Sequence, residues 1–195
     1  MDRIFEAFPV GAAKTGMLYE AAIITAVARG FARRKFRNVV VDPVMVASSG
    51  AQLLKSDAIT ALTTRLFPQA AVVTPNLVEA EVLVRGSIRT LDEQRVAARV
   101  LAEKYSVPFL VKGGHLPGRN PAVDVLFEGK RFHEYRATRV PDVKTHGTGC
   151  TFSAAIAANL ALGHSLPGSI ARAKRFVTTA IRRARKVGPY SVLWV

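Results

Sequence analysis

Residues 90–115 read TLDEQRVAARVLAEKYSVPFLVKGGH, and their pattern sets the fold class. Thr90-Leu91-Asp92-Glu93 has the form of a capping box, in which a threonine hydroxyl and a glutamate carboxylate satisfy backbone N–H groups of a first helical turn. From Asp92 to Tyr105 apolar residues recur at helical spacing, which predicts a helix. Pro108 to Lys112 then forms a short apolar run of the kind seen in strands covered on both faces, and Gly113-Gly114 ends it. A helix feeding directly into a buried strand is part of a βαβ unit and calls for a parallel sheet.

The same alternation extends outward in both directions. Strands are predicted at Ala12 to Lys14, Asn38 to Asp42, Ala71 to Thr74 and Val123 to Glu128, and a helix at Glu20 to Arg33. Phe127-Glu128-Gly129-Lys130-Arg131-Phe132 reads as a hairpin with glycine in its turn, so the sheet should end in an antiparallel pair. The last third is helical. An alanine-rich helix is expected from Cys150 to Leu162, with Gly163 just beyond it, and a second from Ser165 and Pro167 to Lys186, ended by Gly188-Pro189. The expectation is an α/β fold in one domain spanning 1–195, with a mostly parallel central sheet flanked by helices.

Composition narrows the function classes. A single cysteine excludes an intramolecular disulfide framework and fits a reducing compartment. Residues 1–16 carry Asp2, Arg3, Glu6 and Lys14 among their apolar residues, unlike a signal peptide, and no run reaches membrane-spanning length. A cytoplasmic protein with no membrane partner is expected. The net charge of +14 favours anionic ligands. Its basic residues at Arg29 to Arg37 and Arg172 to Lys186 read as solvated helix faces, and on that reading no nucleic-acid partner is expected.

Chemistry concentrates where strands end. Thr145-His146-Gly147-Thr148-Gly149-Cys150-Thr151 is a glycine-rich turn leading into an apolar helix. Such a turn offers free backbone N–H groups, and the helix N-terminus adds partial positive charge, which suits a transferring phosphoryl group. Cys150 could take the proton of an attacking hydroxyl while Gly147, Thr148 and Gly149 stabilise developing charge. The same residues admit a nucleophilic Cys150 with His146 as base, but a nucleophile elbow needs glycine two positions on, where Phe152 stands.

Three more polar groups follow apolar runs, at Asp42, at Thr74-Pro75-Asn76 with Glu79, and at Lys112-Gly113-Gly114-His115. Lys112 could place an ammonium beside ATP phosphates, with Thr74 and Asn76 nearby, and Glu79 and Asp42 could hold Mg²⁺ through water. Taken singly, each carboxylate also suits a helix cap or a surface position.

Five ordered segments, Lys14-Thr15-Gly16-Met17-Leu18, Val41-Asp42-Pro43-Val44-Met45-Val46-Ala47, Thr74-Pro75-Asn76-Leu77 with Glu79-Ala80-Glu81, Lys112-Gly113-Gly114-His115 and His146-Gly147-Thr148-Gly149-Cys150-Thr151, resemble the hydroxymethylpyrimidine and phosphomethylpyrimidine kinases of thiamine biosynthesis, within the ribokinase superfamily. The resemblance implies a ribokinase-like three-layer αβα fold and phosphoryl transfer from MgATP to hydroxymethylpyrimidine or its monophosphate. It implies an anion hole at Gly147 to Cys150 with Cys150 as base, and a pyrimidine pocket lined by Met17 and Val44. It further implies a Mg-phosphate site at Asn76 and Glu79, Lys112 on the nucleotide phosphates, and adenine near Ala173 to Val177. Related enzymes phosphorylate pyridoxal, so that alcohol is the alternative substrate, and a non-catalytic nucleotide-binding remnant is the alternative outside enzymes. The family's N-terminal segment, with its glycine-rich first strand, does not precede the Lys14 motif. That absence predicts missing N-terminal strands, an unpaired sheet edge, association into a homodimer and weak activity of the isolated chain.

Overall fold

Valine runs and amphipathic helices assemble into a six-stranded sheet with helices on both faces. The structure, a computed structural model, describes residues 1–46, 53–114, 116, 121–140, 147–188 and 190–194. The order is α1 (Asp2–Ala7), β1 (Ala13–Thr15), α2 (Ala21–Arg33), β2 (Val39–Val41), α3 (Ser56–Ala61), β3 (Ala70–Val73), α4 (Leu77–Val84), α5 (Leu91–Tyr105), β4 (Phe109–Val111), β5 (Ala122–Glu128), β6 (Arg131–Ala137), α6 (Thr148–Ala161), α7 (Leu166–Arg182), β7 (Arg185–Val187) and β8 (Tyr190–Val192). After α3 the chain continues through a π-helical turn, Leu62–Leu66, and a 3₁₀ turn, Phe67–Gln69.

The strands lie in the order β1-β2-β3-β4-β5-β6. β1 to β4 run parallel, and β5 and β6 add antiparallel pairs at one edge. The period of two along each strand sorts the core into two layers. Val39, Val41, Val73, Phe109 and Val111 face α2, α3, α4 and α5, where Phe31, Phe67 and Leu101 pack against them. Val40, Val72, Leu110 and Leu126 face the other way, onto Phe152, Ile156, Ile170 and Val177 of α6 and α7. The three-layer arrangement is therefore written in the alternation of buried strand residues.

The β5–β6 hairpin turns at Gly129 and Lys130, both in the left-handed region at φ 55° and 70°. Two boundaries at the carboxyl end differ from the sequence expectation. α7 stops at Arg182 rather than Lys186, and Arg185–Val187 pairs antiparallel with Tyr190–Val192 around Gly188, whose φ is 60°. α6 starts at Thr148, two residues before Cys150, because Gly147 at φ 80° supplies the left-handed entry. Among the described residues no helix is long and apolar enough to cross a membrane.

Candidate active site

Helix α6 is oriented by contacts at both of its ends. Near its carboxyl end, Ala161 lies 3.1 Å from where a Cβ on Gly11 would sit, just before β1. Near its start, Ser153 donates to Asp42 Oδ2 at 3.1 Å, just after β2. The helix thus runs antiparallel to the parallel strands, and its N-terminus opens at their carboxyl ends, where α/β sheets bind ligands. Thr151 N–H reaches the Gly147 carbonyl at 2.8 Å. Gly149 and Cys150 precede the first residues that can close an intrahelical bond, so their N–H groups point outward. Cys150 is exposed.

Lys112 connects this turn to the carboxylates. Its side chain is 13% exposed, and Nζ donates to Asp42 Oδ1 at 2.9 Å. The same nitrogen lies 3.4 Å from the Cβ position of Gly149, at the mouth of α6. Asp42, 3% exposed, is thus held between an ammonium and the Ser153 hydroxyl. Truncating one member of such a buried pair leaves the other charge uncompensated, at a cost of about 3–5 kcal/mol.

Glu79 belongs to the same cluster and caps α4 as well. Its Oε2 accepts from Asn76 N–H at 2.8 Å while Asn76 Oδ1 accepts from Glu79 N–H at 2.9 Å, a reciprocal capping box. Its Oε1 accepts from Met45 N–H at 3.2 Å, tying the loop after β2 to the first turn of α4. Burial holds the Glu79 carboxyl above its ordinary value, with the Asp42 charge adding to the effect, while Lys112 and the two backbone N–H groups pull it down. The helix-cap role and the cluster role therefore coexist in one side chain.

The remaining expected residues fall around this cluster. Asn76 bridges to Lys112 across the strand ends, and Lys112 N–H donates to the Pro75 carbonyl at 2.8 Å. Thr74 is fully buried and its hydroxyl has no protein partner, so it underlies the site. Val44 sits directly after Asp42-Pro43 at φ 43°, a strained conformation for a β-branched residue and one that marks functional loops. Met17 is 52% exposed, beyond the end of β1. Glu81 turns away and accepts from Ile88 N–H and Arg89. His115, Thr145 and His146 lie outside the described residues, as does the base of the alternative nucleophilic reading.

A second buried network was not apparent in the sequence. Asp124, 3% exposed, accepts from Gly113 N–H at 3.0 Å and from Lys174 Nζ of α7 at 2.6 Å. Gln94 of α5 donates to the carbonyls of Val111 and Val123, both at 2.9 Å. These bonds hold the turn after Lys112 between α5, β5 and α7. The available signal was a lone carboxylate inside the apolar run Ala122 to Phe127, which must find a partner when buried.

The donor set fits a hydrated Mg²⁺. Asp42 and Glu79 are two neighbouring carboxylates whose oxygens each spend one lone pair on Lys112, Ser153 or backbone N–H, leaving others for metal-bound water. Among the described residues no group of three or more His, Cys, Asp or Glu forms a direct ligand cage. A groove of about 520 Å³ between α2 and α3, lined by Ala22, Thr25, Arg29, Asp57 and Arg65, includes none of the site residues.

Comparison with known proteins gives this geometry its relatives. A family model described as phosphomethylpyrimidine kinase matches residues 1–193. The chain belongs to the phosphomethylpyrimidine kinase family. It is 47% identical over 188 residues to the thiamine biosynthesis bifunctional protein of Geobacter sulfurreducens, covering 96% of this chain and 38% of that protein. It is 38% identical to the hydroxymethylpyrimidine/phosphomethylpyrimidine kinase of Bacillus subtilis, covering 96% of this chain and 69% of the relative. Among solved structures, an ADP complex of Bacillus subtilis pyridoxal kinase superimposes with a TM-score of 0.89 at 34% identity, over 97% of this chain and 72% of that one. The phosphomethylpyrimidine kinase of Clostridium difficile gives 0.79 at 33% identity, over 92% and 73%. The ribokinase-like αβα fold expected from the motifs is the fold of these family members.

Proposed function

We propose that this chain transfers the γ-phosphoryl group of ATP to hydroxymethylpyrimidine, to its monophosphate, or to both. The observation that carries the reading is the convergence of the α6 N-terminus, Lys112 and the Asp42–Glu79 pair at one end of the sheet. Phosphoryl transfer is driven by positioning and charge stabilisation, and those are the groups it needs. The backbone N–H groups of Gly149 and Cys150 donate to the oxygens of the transferring group and stabilise the negative charge that develops there. Lys112 neutralises the nucleotide phosphates, held in place by Asp42, and Cys150, exposed at the helix mouth, takes the proton of the attacking hydroxyl. Asp42 and Glu79 would hold, through water, the Mg²⁺ that screens the phosphate charges. Met17 and Val44 border the pyrimidine.

Pyridoxal is the second reading, supported by the likeness to the Bacillus subtilis pyridoxal kinase. Both readings are tested by ADP release with hydroxymethylpyrimidine, its monophosphate and pyridoxal in turn. The proposal expects turnover with a pyrimidine and, with the alcohol as acceptor, a fall in kcat of about 10²–10⁴ in Cys150→Ala. A higher kcat/KM for pyridoxal transfers the assignment to the second reading, and ADP release with none of the three removes both.

A further inference from the structure

Lys14 is the charged residue of the Lys14-Thr15-Gly16-Met17 motif that the catalytic cluster leaves unused. It lies inside β1 and is partly buried. Its register partner is Val40, which faces α6 and α7, so the Lys14 side chain leaves the sheet on the α6 side. From there it runs toward the carboxyl end of the strand, where Nζ lies 3.2 Å from the Cβ position of Gly16, immediately before Met17. Among the described residues no carboxylate pairs with it. An ammonium drawn partly out of water with no counterion is a cost that an anionic ligand removes.

We infer that Lys14 binds the phosphate of a phosphorylated acceptor and so selects the monophosphate as substrate; this rests on the kinase reading above. Two lysines serve one end of the sheet, Lys112 directly after β4, with its ammonium at Gly149, and Lys14 from the edge strand β1. In-line transfer places the donor and the acceptor on opposite sides of the moving phosphorus. A cation on the β1 side, next to Met17, stands where an acceptor rather than ATP would lie. When the acceptor is a phosphate, one of its oxygens forms the new bond to the γ-phosphorus. The bond from that phosphorus to the β-bridging oxygen breaks, and ADP leaves with the electron pair. The dianionic phosphate, with a second pKa near 6, has no proton to lose, so its requirement is charge neutralisation rather than a base.

The test is the ratio of kcat/KM for the monophosphate to that for the alcohol, measured in wild type, Lys14→Met and Lys14→Arg. Loss of one charge-assisted contact corresponds to roughly a tenfold to hundredfold change. The ratio should fall by that amount in Lys14→Met and stay within about threefold of wild type in Lys14→Arg, an outcome that a general loss of folding does not produce. A ratio unchanged in Lys14→Met, in a protein whose wild type turns over both substrates, overturns the role of Lys14 alone. A wild type that turns over neither substrate overturns the kinase reading, and this inference with it.

Discussion

At the residue scale, the constraint with the least room is Gly113. A Cβ there would lie 2.0 Å from the Val123 carbonyl oxygen and within 2.8 Å of the Gln94 side chain. Its N–H is meanwhile fixed on Asp124. The obstacle is backbone of β5, paired on both sides by β4 and β6, which cannot swing aside as a flexible side chain can. Gly113→Ala should therefore destabilise the fold by about 3 kcal/mol, the upper end of the usual cost of overpacking, and displace the adjacent Lys112 from Asp42. Gly114→Ala is the matched control, because nothing lies within 4 Å of its Cβ position. Thermal unfolding of both variants checks this: equal midpoints would mean that the β5 backbone yields to the added methyl.

At the element scale, two helices begin with the same capping box and differ in what else the cap touches. In α5, Thr90 Oγ1 accepts from Glu93 N–H at 3.2 Å and Glu93 Oε2 accepts from Thr90 N–H at 2.9 Å, all at an exposed surface. In α4 the reciprocal bonds of Asn76 and Glu79 are partly buried and adjoin Lys112. Thr90→Ala and Asn76→Ala should each cost about 1 kcal/mol of stability. Only Asn76→Ala should also lower the proposed kinase activity, because losing the Asn76 Oδ1 acceptor of Glu79 N–H loosens the first turn of α4, which holds the Glu79 carboxylate beside Lys112 and Asp42. Denaturant midpoints and ADP release, measured on both variants, separate the two effects; equal activity loss would put the α4 cap outside the site. The α5 box was legible because Thr90, Glu93 and a clean helical period coincide in the sequence. The α4 box was not, since Leu77 to Val84 is apolar on nearly every side and shows no period from which a helix start could be read.

For the whole molecule, the layers were legible and their cross-links were not. Short valine runs told where strands would be buried on both faces, as in Val39 to Val41, and the motifs at their carboxyl ends held the residues that gather around Lys112. Ser153 with Asp42, and Lys174 with Asp124, join residues 111 and 50 positions apart, so no local pattern could register them. The hairpin at Arg185–Val187 was hidden for a related reason, since basic residues at helical spacing continued past the point where the helix ends. The same long-range pairing sets the acid response. Burial alone would raise the Glu134 carboxyl, but hydrogen bonds from Arg95 of α5 and Arg136 outweigh it and hold the group below its ordinary value. A carboxyl lowered in the fold contributes stability above its unfolded pKa and loses that contribution as pH falls through the folded value. Glu79, held high by burial, acts with the opposite sign and opposes folding more as pH rises through its folded value. Glu134→Gln should then cost about 1 kcal/mol near pH 7, or about 2–4 °C in Tm for a chain of this size. The gap to wild type should close as pH falls below the ordinary carboxylate range, because the wild-type side chain is then protonated too. Thermal unfolding of both proteins between neutral and acid pH reads the gap, and a gap that stays constant down to full protonation would mean that Glu134 acts through packing rather than charge.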